Sequence, residues 1–166
     1  SFNADKIETL IKKFTGIVVI DEAYIDFSSQ ESWIGRLNEF PNLIVIQTLS
    51  KAYGLAGIRL GACYSSTKII SVLNKIKPPY NINELTQKKA LKKLLNKNKV
   101  QHEIEKILEQ RKKLIEKLAS ISFIAEIYPT DANFVYSFLF LDLCPIRSPK
   151  LLFHKKSSTP KNYWAN

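Results

Sequence analysis

The 166-residue sequence contains no methionine, only two cysteines and no long apolar run. Two cysteines, Cys63 and Cys144, are too few for a disulfide framework or a zinc site, so we predict no metal and a reducing, cytoplasmic setting. The longest apolar stretch near the end covers about ten residues, too few to span a bilayer. The beginning is polar and charged, unlike a signal peptide. We therefore expect no membrane association.

The sequence also lacks methionine at its first position, which is Ser1. An intact gene product begins with methionine, so the start at Ser1 leads us to expect a processed chain or a piece of a longer one. Apolar residues make up 45% and charged residues 24%, which is typical of a soluble globular protein. The length is sufficient for one ordinary domain with its own core.

Acidic residues are scarce in two stretches, which account for the net charge of +10. Residues 88–117 carry eleven basic and four acidic side chains, and the last twenty residues carry five basic and no acidic ones. Residues 1–87 are nearly balanced, with nine against eight. A lysine-rich helix usually has a solvated face, so we do not expect nucleic-acid binding. A basic nucleic-acid-binding module stays open as an alternative, although this helix lacks interleaved aromatics.

The first half has the pattern of an α/β protein. Residues 3–14 predict an amphipathic helix capped by Asn3, with an apolar face of Ile7, Leu10 and Ile11. The β-branched runs at residues 17–20 and 42–48 predict strands buried on both faces in a parallel sheet. Residues 58–64 predict a third strand. Strands separated by connections of this kind favour an α/β sheet.

The second half is mostly helical. Apolar periodicity predicts helices from residue 67 to Pro78, over residues 84–95, and over residues 102–118. Glu109 and Lys113 are spaced to form an ion pair on the wet side of the last helix. Residues 124–128 and 133–136 predict strands that begin a second, smaller unit.

Polar side chains follow the first two predicted strands at the point where each ends. Asp21 follows the first strand, Ser50 and Lys51 follow the second, and Arg59 lies eight residues beyond the lysine. In an open α/β sheet, ligands bind outside the carboxyl ends of parallel strands. If the two strands are parallel neighbours, Asp21 and Lys51 face the same crevice.

A planar heteroaromatic phosphate, as in pyridoxal 5'-phosphate, would use an acid, an amine and a guanidinium together. Its ring nitrogen needs a carboxylate, which Asp21 supplies, and its phosphate needs donors, which Arg59, Ser50 and Thr48 supply. Its aldehyde needs an amine, so Lys51 would hold it as an imine and later move the α-proton of a substrate.

Other residues nearby suit the same ligand. Tyr24 is placed to hydrogen-bond the ring hydroxyl, and Gly54 and Gly57 allow close backbone approach or a positive φ. Each predicted site residue alone has a simpler interpretation: a turn former for Asp21, a solvated side chain for Lys51, a core edge for Tyr24. Their joint spacing favours the cofactor site.

Two segments carry a resemblance to a known family. Residues 18–27, VVIDEAYIDF, and residues 48–61, TLSKAYGLAGIRLG, closely resemble the histidinol-phosphate aminotransferases. That family belongs to the class-II branch of the fold-type-I aminotransferases, which use pyridoxal phosphate. Residues 77–83, KPPYNIN, and residues 129–134, PTDANF, are also similar. The resemblance covers roughly residues 1–136.

The resemblance implies roles for individual residues. Asp21 would pair with the pyridine nitrogen, Tyr24 with the ring hydroxyl, and Lys51 would hold the imine, while Ser50 and Arg59 would bind phosphate. The implied reaction moves an amino group between L-histidinol phosphate or imidazole-acetol phosphate and glutamate or 2-oxoglutarate, in histidine biosynthesis. The implied enzyme is a homodimer.

The resemblance also implies an architecture. Residues 1–95 would form the C-terminal half of a large cofactor-binding domain, with part of a mixed, mostly parallel sheet. Residues 96–136 would begin an α+β small domain. Residues 137–166 match nothing in the family, and we expect this tail to be frameshifted, misjoined or disordered.

The sequence departs from the family at both ends. It lacks the family's glycine-containing phosphate loop, its ring-stacking aromatic residue and an asparagine near the ring hydroxyl, and it also lacks the C-terminal arginine for the substrate carboxylate. We therefore predict that the isolated chain has little or no activity. Another class-II aminotransferase, for an aromatic or related amino acid, stays open as an alternative.

A different enzyme class also fits one of the motifs. Four apolar residues followed by Asp21 and Glu22 resemble the magnesium-binding strand of a P-loop ATPase. The phosphate loop Gly-x-x-x-x-Gly-Lys-Ser/Thr is absent from the sequence. An ATPase has no need of Ser50, Lys51 and Arg59 at this spacing, so the motif favours the aminotransferase.

Overall fold

The computed structural model describes residues 3–139. Within them, four helices and five strands follow one another along the chain. They are α1 (Ala4–Lys13), β1 (Val18–Asp21), β2 (Leu43–Thr48), β3 (Gly61–Ser65), α2 (Thr67–Ile76), α3 (Glu84–Leu94), α4 (Lys97–Ala119), β4 (Ile124–Ile127) and β5 (Ser137–Leu139). Short 3₁₀ helices lie at Ile25–Phe27, Trp33–Arg36 and Ala56–Ile58.

The sheet that positions the site is mixed, as predicted. β2 lies in the middle, with β1 parallel on one side and β3 antiparallel on the other. The register places Asp21 of β1 beside Ile46 of β2. The carboxyl ends of the two parallel strands therefore lie next to each other.

The prediction that residues 17–20 are buried on both faces is wrong. Ile17 and Val19 each expose 55% of their surface, whereas Val18 and Ile20 pack against the core. In β2, by contrast, Leu43, Ile44 and Val45 are all buried. A continuous apolar run shows that a strand can be covered on both sides, but it does not show which elements cover it. Within residues 3–139, one side of β1 is uncovered.

Helix α1 closes the other side of the sheet. Its first turn is capped as predicted, because the Asn3 side chain accepts a hydrogen bond from Lys6 N at 3.1 Å. Ile11 is buried and Ile7 is partly buried against the core, but Leu10 is 55% exposed, so its place on the packed face was wrongly predicted. The core it joins consists of Ile11, Trp33, Phe40, Leu43 and Val45.

The helices of the second half form where the periodicity predicts them. α2 ends at Ile76, just before Pro78, and Asn83 and Asn96 cap α3 and α4 through their side chains. The ion pair between Glu109 and Lys113 forms at 2.5 Å. α4 starts five residues earlier than predicted, since the helical pattern continues through its lysine-rich first turn.

The last predicted strand is misplaced. β4 agrees with its prediction, but its partner β5 begins at Ser137 rather than at residue 133. The intervening residues instead form a turn in which Thr130 Oγ1 accepts from Ala132 N and donates to Phe134 O. β5 thus includes the first three residues of the tail predicted to be unmatched. Residues 140–166, which make up the rest of that tail, lie outside the described part.

Helix α4 touches both predicted units. Near its start, Val100 and Ile104 pack with Phe27 and Ala52 in a second buried cluster, and further along the helix contacts β4. The boundary between residues 95 and 96 therefore stays a prediction.

The contacts of Arg36 predict a pH effect on stability. Its guanidinium binds the carboxylates of Glu8 and Glu39 and lies over the rings of Trp33 and Phe40. Hydrogen bonds from Arg36 and Lys12 lower the pKa of Glu8 from 4.5 to about 2. A carboxyl with a lowered folded-state pKa stabilises the fold above its unfolded pKa, and this contribution is lost on acidification.

We therefore expect the thermal unfolding temperature to decrease as the pH is lowered from about 4.5 to about 2. The decrease should be smaller in Glu8→Gln than in the unmodified chain. The matched control is Glu31→Gln, at an exposed loop position. Equal pH slopes for Glu8→Gln and the unmodified chain would contradict the assignment.

Candidate active site

A cavity of about 320 Å³ lies where β1 and β2 end. It brings together five of the six residues that the sequence singles out. Its lining consists of Asp21, Ala23, Ile46, Gln47, Thr48, Ser50, Lys51 and Arg59. An acid, an amine, a guanidinium and two hydroxyls therefore share one space. This follows from the parallel pairing, which sets the ends of the two strands side by side.

Asp21 is the last residue of β1, and its side chain is exposed. Its Oδ1 atom accepts a hydrogen bond from Ala23 N at 2.9 Å. The carboxylate thus stabilises a turn, which is the simpler of the two roles predicted for Asp21. It also lines the cavity. The turn holds the carboxylate at the end of the strand.

Lys51 lies in the loop after β2 and is exposed. Its Nζ atom lies 5.0 Å from the centre of the Tyr24 ring, a cation–π distance. Tyr24 does not line the cavity but stands beside its lysine. The edge of the Tyr24 ring meets Phe134, with ring centres 5.5 Å apart. No sequence pattern indicates this contact, which joins the segment before β5 to the site.

The hydroxyls of Thr48, at the end of β2, and Ser50, in the lysine loop, differ in their hydrogen bonds. Thr48 Oγ1 accepts from Ser50 N at 3.1 Å and is 3.4 Å from the carbonyl oxygen of Leu60, to which it donates. Thr48 therefore shapes the turn between β2 and the lysine loop. No such bond involves the Ser50 hydroxyl in residues 3–139, so it is the better candidate for a ligand donor.

Arg59 adopts a left-handed conformation with φ of 53°. Such a backbone is uncommon outside glycine, and it is found most often at turns and functional sites. The Arg59 Nη1 atom donates to Ala56 O at 3.0 Å, and the side chain is exposed at the cavity. The other guanidinium donors can still reach an anion.

The two glycines of this loop differ in conformation. Gly54 has φ of +65°, whereas Gly57 lies in the 3₁₀ helix and has no positive φ. A methyl group at either position would meet nothing within 4 Å. Conformation alone therefore distinguishes them, and the expected use of positive φ applies only to Gly54.

Replacing Gly54 with alanine is expected to destabilise the fold by about 1–2 kcal/mol, because an L-residue is strained at this φ. Gly57→Ala has equal space without that strain, so it should be neutral or slightly stabilising. Urea unfolding of the two variants measures the difference. If both lose the same stability, backbone strain is not the cause.

The sequence did not indicate the buried hydrogen bonds of Glu22. It is 6% exposed and accepts hydrogen bonds from Ser32 Oγ, Trp33 N and Gln47 Nε2 at 2.6, 2.7 and 2.9 Å. Its partners lie 10, 11 and 25 residues away, so no local motif could indicate them. Both oxygens are engaged inside the protein, which argues against Glu22 as the water-activating residue of an ATPase.

Two further ionisable groups, Asp26 of the first 3₁₀ helix and Tyr53 of the lysine loop, interact with each other. Burial raises the pKa of Asp26, and the nearby Glu22 charge adds to the effect. Burial also raises the pKa of Tyr53, with Asp26 and Tyr64 contributing. These groups line no part of the cavity. No cluster of three or more metal-binding side chains occurs in residues 3–139.

The lysine-rich helices are partly neutralised by their own acids. Ion pairs join Lys88 to Glu84 and Lys93 to Glu103, in addition to the pair within α4. This is the arrangement of a solvated surface, which does not favour a nucleic-acid interface. In the part of the chain that the structure describes, no helix has the length and apolar character needed to cross a membrane.

Sequence comparison identifies one family. The profile of the aminotransferases of class I and II matches residues 1–150. The histidinol-phosphate aminotransferase of Flavobacterium johnsoniae is 56% identical over 135 residues, which cover 81% of this chain and 39% of that protein. The chain thus spans about two fifths of the length of the curated relatives it matches.

Solved structures give the same answer for the fold. The histidinol-phosphate aminotransferase of Clostridium acetobutylicum matches with a TM-score of 0.76 and 29% identity, over 83% of this chain and 43% of that one. The Sinorhizobium meliloti enzyme, solved in complex with pyridoxal-5'-phosphate, matches with a TM-score of 0.71 and 28% identity, over 81% and 37%. The described sheet is therefore part of a fold-type-I aminotransferase sheet.

Proposed function

This chain belongs to the aminotransferase class I and II family, and we propose that it carries part of the cofactor-binding site of a transaminating enzyme. The cofactor is pyridoxal 5'-phosphate, for which the family and the Sinorhizobium meliloti relative are the support. The observation that carries the proposal is the shared cavity of Asp21, Ser50, Lys51 and Arg59.

The donor set fits this cofactor group by group. Asp21 would hold a proton on the ring nitrogen, Arg59 with Ser50 would bind the phosphate, and Thr48 would keep the Ser50 turn in shape. Tyr24, beside Lys51, would bind the ring hydroxyl. Pyridoxal phosphate supplies the electron sink that makes the substrate α-carbon acidic.

Lys51 has two tasks in this proposal. Its Nζ atom would hold the cofactor, and once a substrate amine has displaced it, Nζ would accept and return the proton of the substrate α-carbon. The Tyr24 ring lies beside it, with its centre 5.0 Å from Lys51 Nζ. The loop that carries Lys51 is anchored by the buried side chains of Ala52 and Leu55, which limits its movement.

The substrates we propose are L-histidinol phosphate or imidazole-acetol phosphate, with glutamate or 2-oxoglutarate. The names of the relatives support this choice, whereas membership of the family by itself supports only amino-acid and oxo-acid substrates. We also propose a cytoplasmic homodimer, with residues 1–95 in the large domain and residues 96–136 beginning the small one. The aromatic-substrate alternative shares the same cofactor residues.

A chimera tests the transamination proposal. Residues 1–136 would replace the matching segment of the Flavobacterium johnsoniae relative, which supplies the segments that this chain does not span. We expect turnover of histidinol phosphate with 2-oxoglutarate, and turnover of aromatic amino acids at least about tenfold slower, because a site that hydrogen-bonds a polar substrate disfavours analogues without those polar groups. A folded chimera without activity on either class would refute the proposal.

The isolated 166-residue chain is expected to show little or no transamination, even where cofactor attaches to it. Its cavity is open and offers one guanidinium, while a substrate carboxylate and the cofactor phosphate each need donors. The measurement is glutamate formation by the purified chain beside the chimera. Equal turnover by the two would show that this chain is sufficient.

A further inference from the structure

Glu22 is the one buried charged side chain in residues 3–139. Its two carboxylate oxygens receive three hydrogen bonds from two separate segments. Ser32 Oγ and Trp33 N belong to the loop that follows β1, and Gln47 Nε2 belongs to β2. The carboxylate therefore connects three parts of the chain at one point.

That point adjoins two residues that line the candidate site, Asp21 and Gln47. Glu22 follows Asp21, and its own backbone N–H donates to Ile46 O at 2.8 Å, which extends the pairing of β1 with β2 by one residue. Gln47, which the Glu22 carboxylate holds, lines the cavity. Lys51 follows four residues later on the same segment. The Glu22 side chain thus ties the strand that presents the acid to the strand that leads to the lysine.

Stability alone is a poor reason for such a group. Burying a carboxylate is unfavourable, and apolar replacements of buried charged groups are often neutral or stabilising. Its hydrogen bonds offset the desolvation, and they fix one arrangement of the strand ends where an apolar side chain would allow several. Geometry at the site therefore accounts for Glu22 better than stability does.

We propose that Glu22 is a positioning residue, whose carboxylate holds the ends of β1 and β2 so that Asp21 and Lys51 face each other across the cavity. The identity of the ligand, pyridoxal phosphate, rests on the function proposed above. The role of Glu22 rests on its own hydrogen bonds.

An exchange of side chains tests the proposal. Glu22→Gln removes the negative charge that receives the three hydrogen bonds, and Gln47→Glu places two carboxylates together, so each single change weakens the pair. The double variant, Glu22→Gln with Gln47→Glu, restores one carboxylate facing one amide across the same gap. We expect each single variant to lose positioning and the double variant to recover most of it.

Two readouts follow the position of the site residues, each corrected for the folded fraction. The first is the rate at which borohydride fixes pyridoxal phosphate to Lys51, which should fall about tenfold to a hundredfold in the single variants. The second needs no cofactor: hydrogen exchange of the Ala23 amide, which is bonded to Asp21 Oδ1, should accelerate in the same variants.

Phe40→Leu serves as the matched control, because it weakens the core near Trp33 without touching Glu22. We expect it to lower the unfolding midpoint and leave both readouts at the level of the unmodified chain. Ser32→Ala removes one of the three hydrogen bonds to Glu22, together with the bond from Ile34 N to Ser32 Oγ, and keeps the carboxylate, so it provides a milder variant if Glu22→Gln does not fold. It should shift both readouts in the same direction by a smaller factor.

The outcomes separate this proposal from the previous one. If the unmodified chain fixes no cofactor at Lys51, the proposed function fails for this chain, and Ala23 exchange decides the role of Glu22. If the folded single variants, or Ser32→Ala in their place, keep both readouts unchanged, Glu22 has only a structural role. Glu22 is also merely structural if Phe40→Leu changes both readouts by the same factor as the Glu22 variant.

Discussion

Replacement of Lys51 with alanine is expected to abolish saturable binding of pyridoxal phosphate to the folded chain. Alanine has no amine to bond to the aldehyde, and it removes the cation that lies 5.0 Å from the Tyr24 ring. Asp21 and Arg59 are exposed and Ser50 is half-buried, so these residues alone would hold the cofactor only through contacts that solvent screens. A titration followed by visible absorbance should therefore lose its saturating component.

The control for this titration is Lys75→Ala, which removes an exposed lysine from the last turn of α2. It should leave binding unchanged, because its position lines no part of the cavity. Lys51→Arg adds a second comparison, since it keeps a cation beside Tyr24 without a reactive amine. Saturable binding by either Lys51 variant, at the affinity of the unmodified chain, would place the cofactor elsewhere.

Phe27→Ala should have the largest effect on stability, a loss of about 3–5 kcal/mol. Phe27 is 2% exposed and packs with Ala52, Val100 and Ile104, so its removal leaves a cavity between the lysine loop and α4. Such a loss is a large fraction of the stability of a typical domain. Denaturant unfolding followed by circular dichroism would measure it.

Phe27→Leu keeps most of the volume, and it should lose less than about 1.5 kcal/mol. The two variants also separate packing from chemistry, because neither changes a group that lines the cavity. In the folded fraction of Phe27→Leu, Lys51 should still react with cofactor. A loss below about 1 kcal/mol in Phe27→Ala would show that this cluster does not support the fold.

The sequence was sufficient to predict the positions of those candidate residues that directly follow a single strand. Asp21 and Lys51 could be placed together because parallel neighbours end at the same edge, and two apolar runs identified those neighbours. The structure adds that one such run, around Val19, is uncovered on one side. Which faces are covered depends on the tertiary arrangement, and periodicity does not encode it.

Contacts between distant segments were beyond prediction. Glu22 finds its partners in a loop and in another strand, and Tyr24 meets Phe134 across 110 residues of sequence. The start of β5 was misjudged because the Thr130 side chain bonds backbone atoms of the preceding turn, while the residues there look like a strand. Glu22 and Tyr24 contact residues that are distant in sequence, and Thr130 bonds to nearby backbone atoms. Local propensity indicates neither kind of contact.

We propose above all that the cavity at the ends of β1 and β2 binds pyridoxal phosphate through Lys51. Its most direct test is to treat the purified chain with one equivalent of pyridoxal phosphate and borohydride, and to map the labelled lysines by mass spectrometry. We predict label concentrated on Lys51, with much less on the exposed lysines of α3 and α4. Label spread evenly over those lysines, with no preference for Lys51, would contradict the claim.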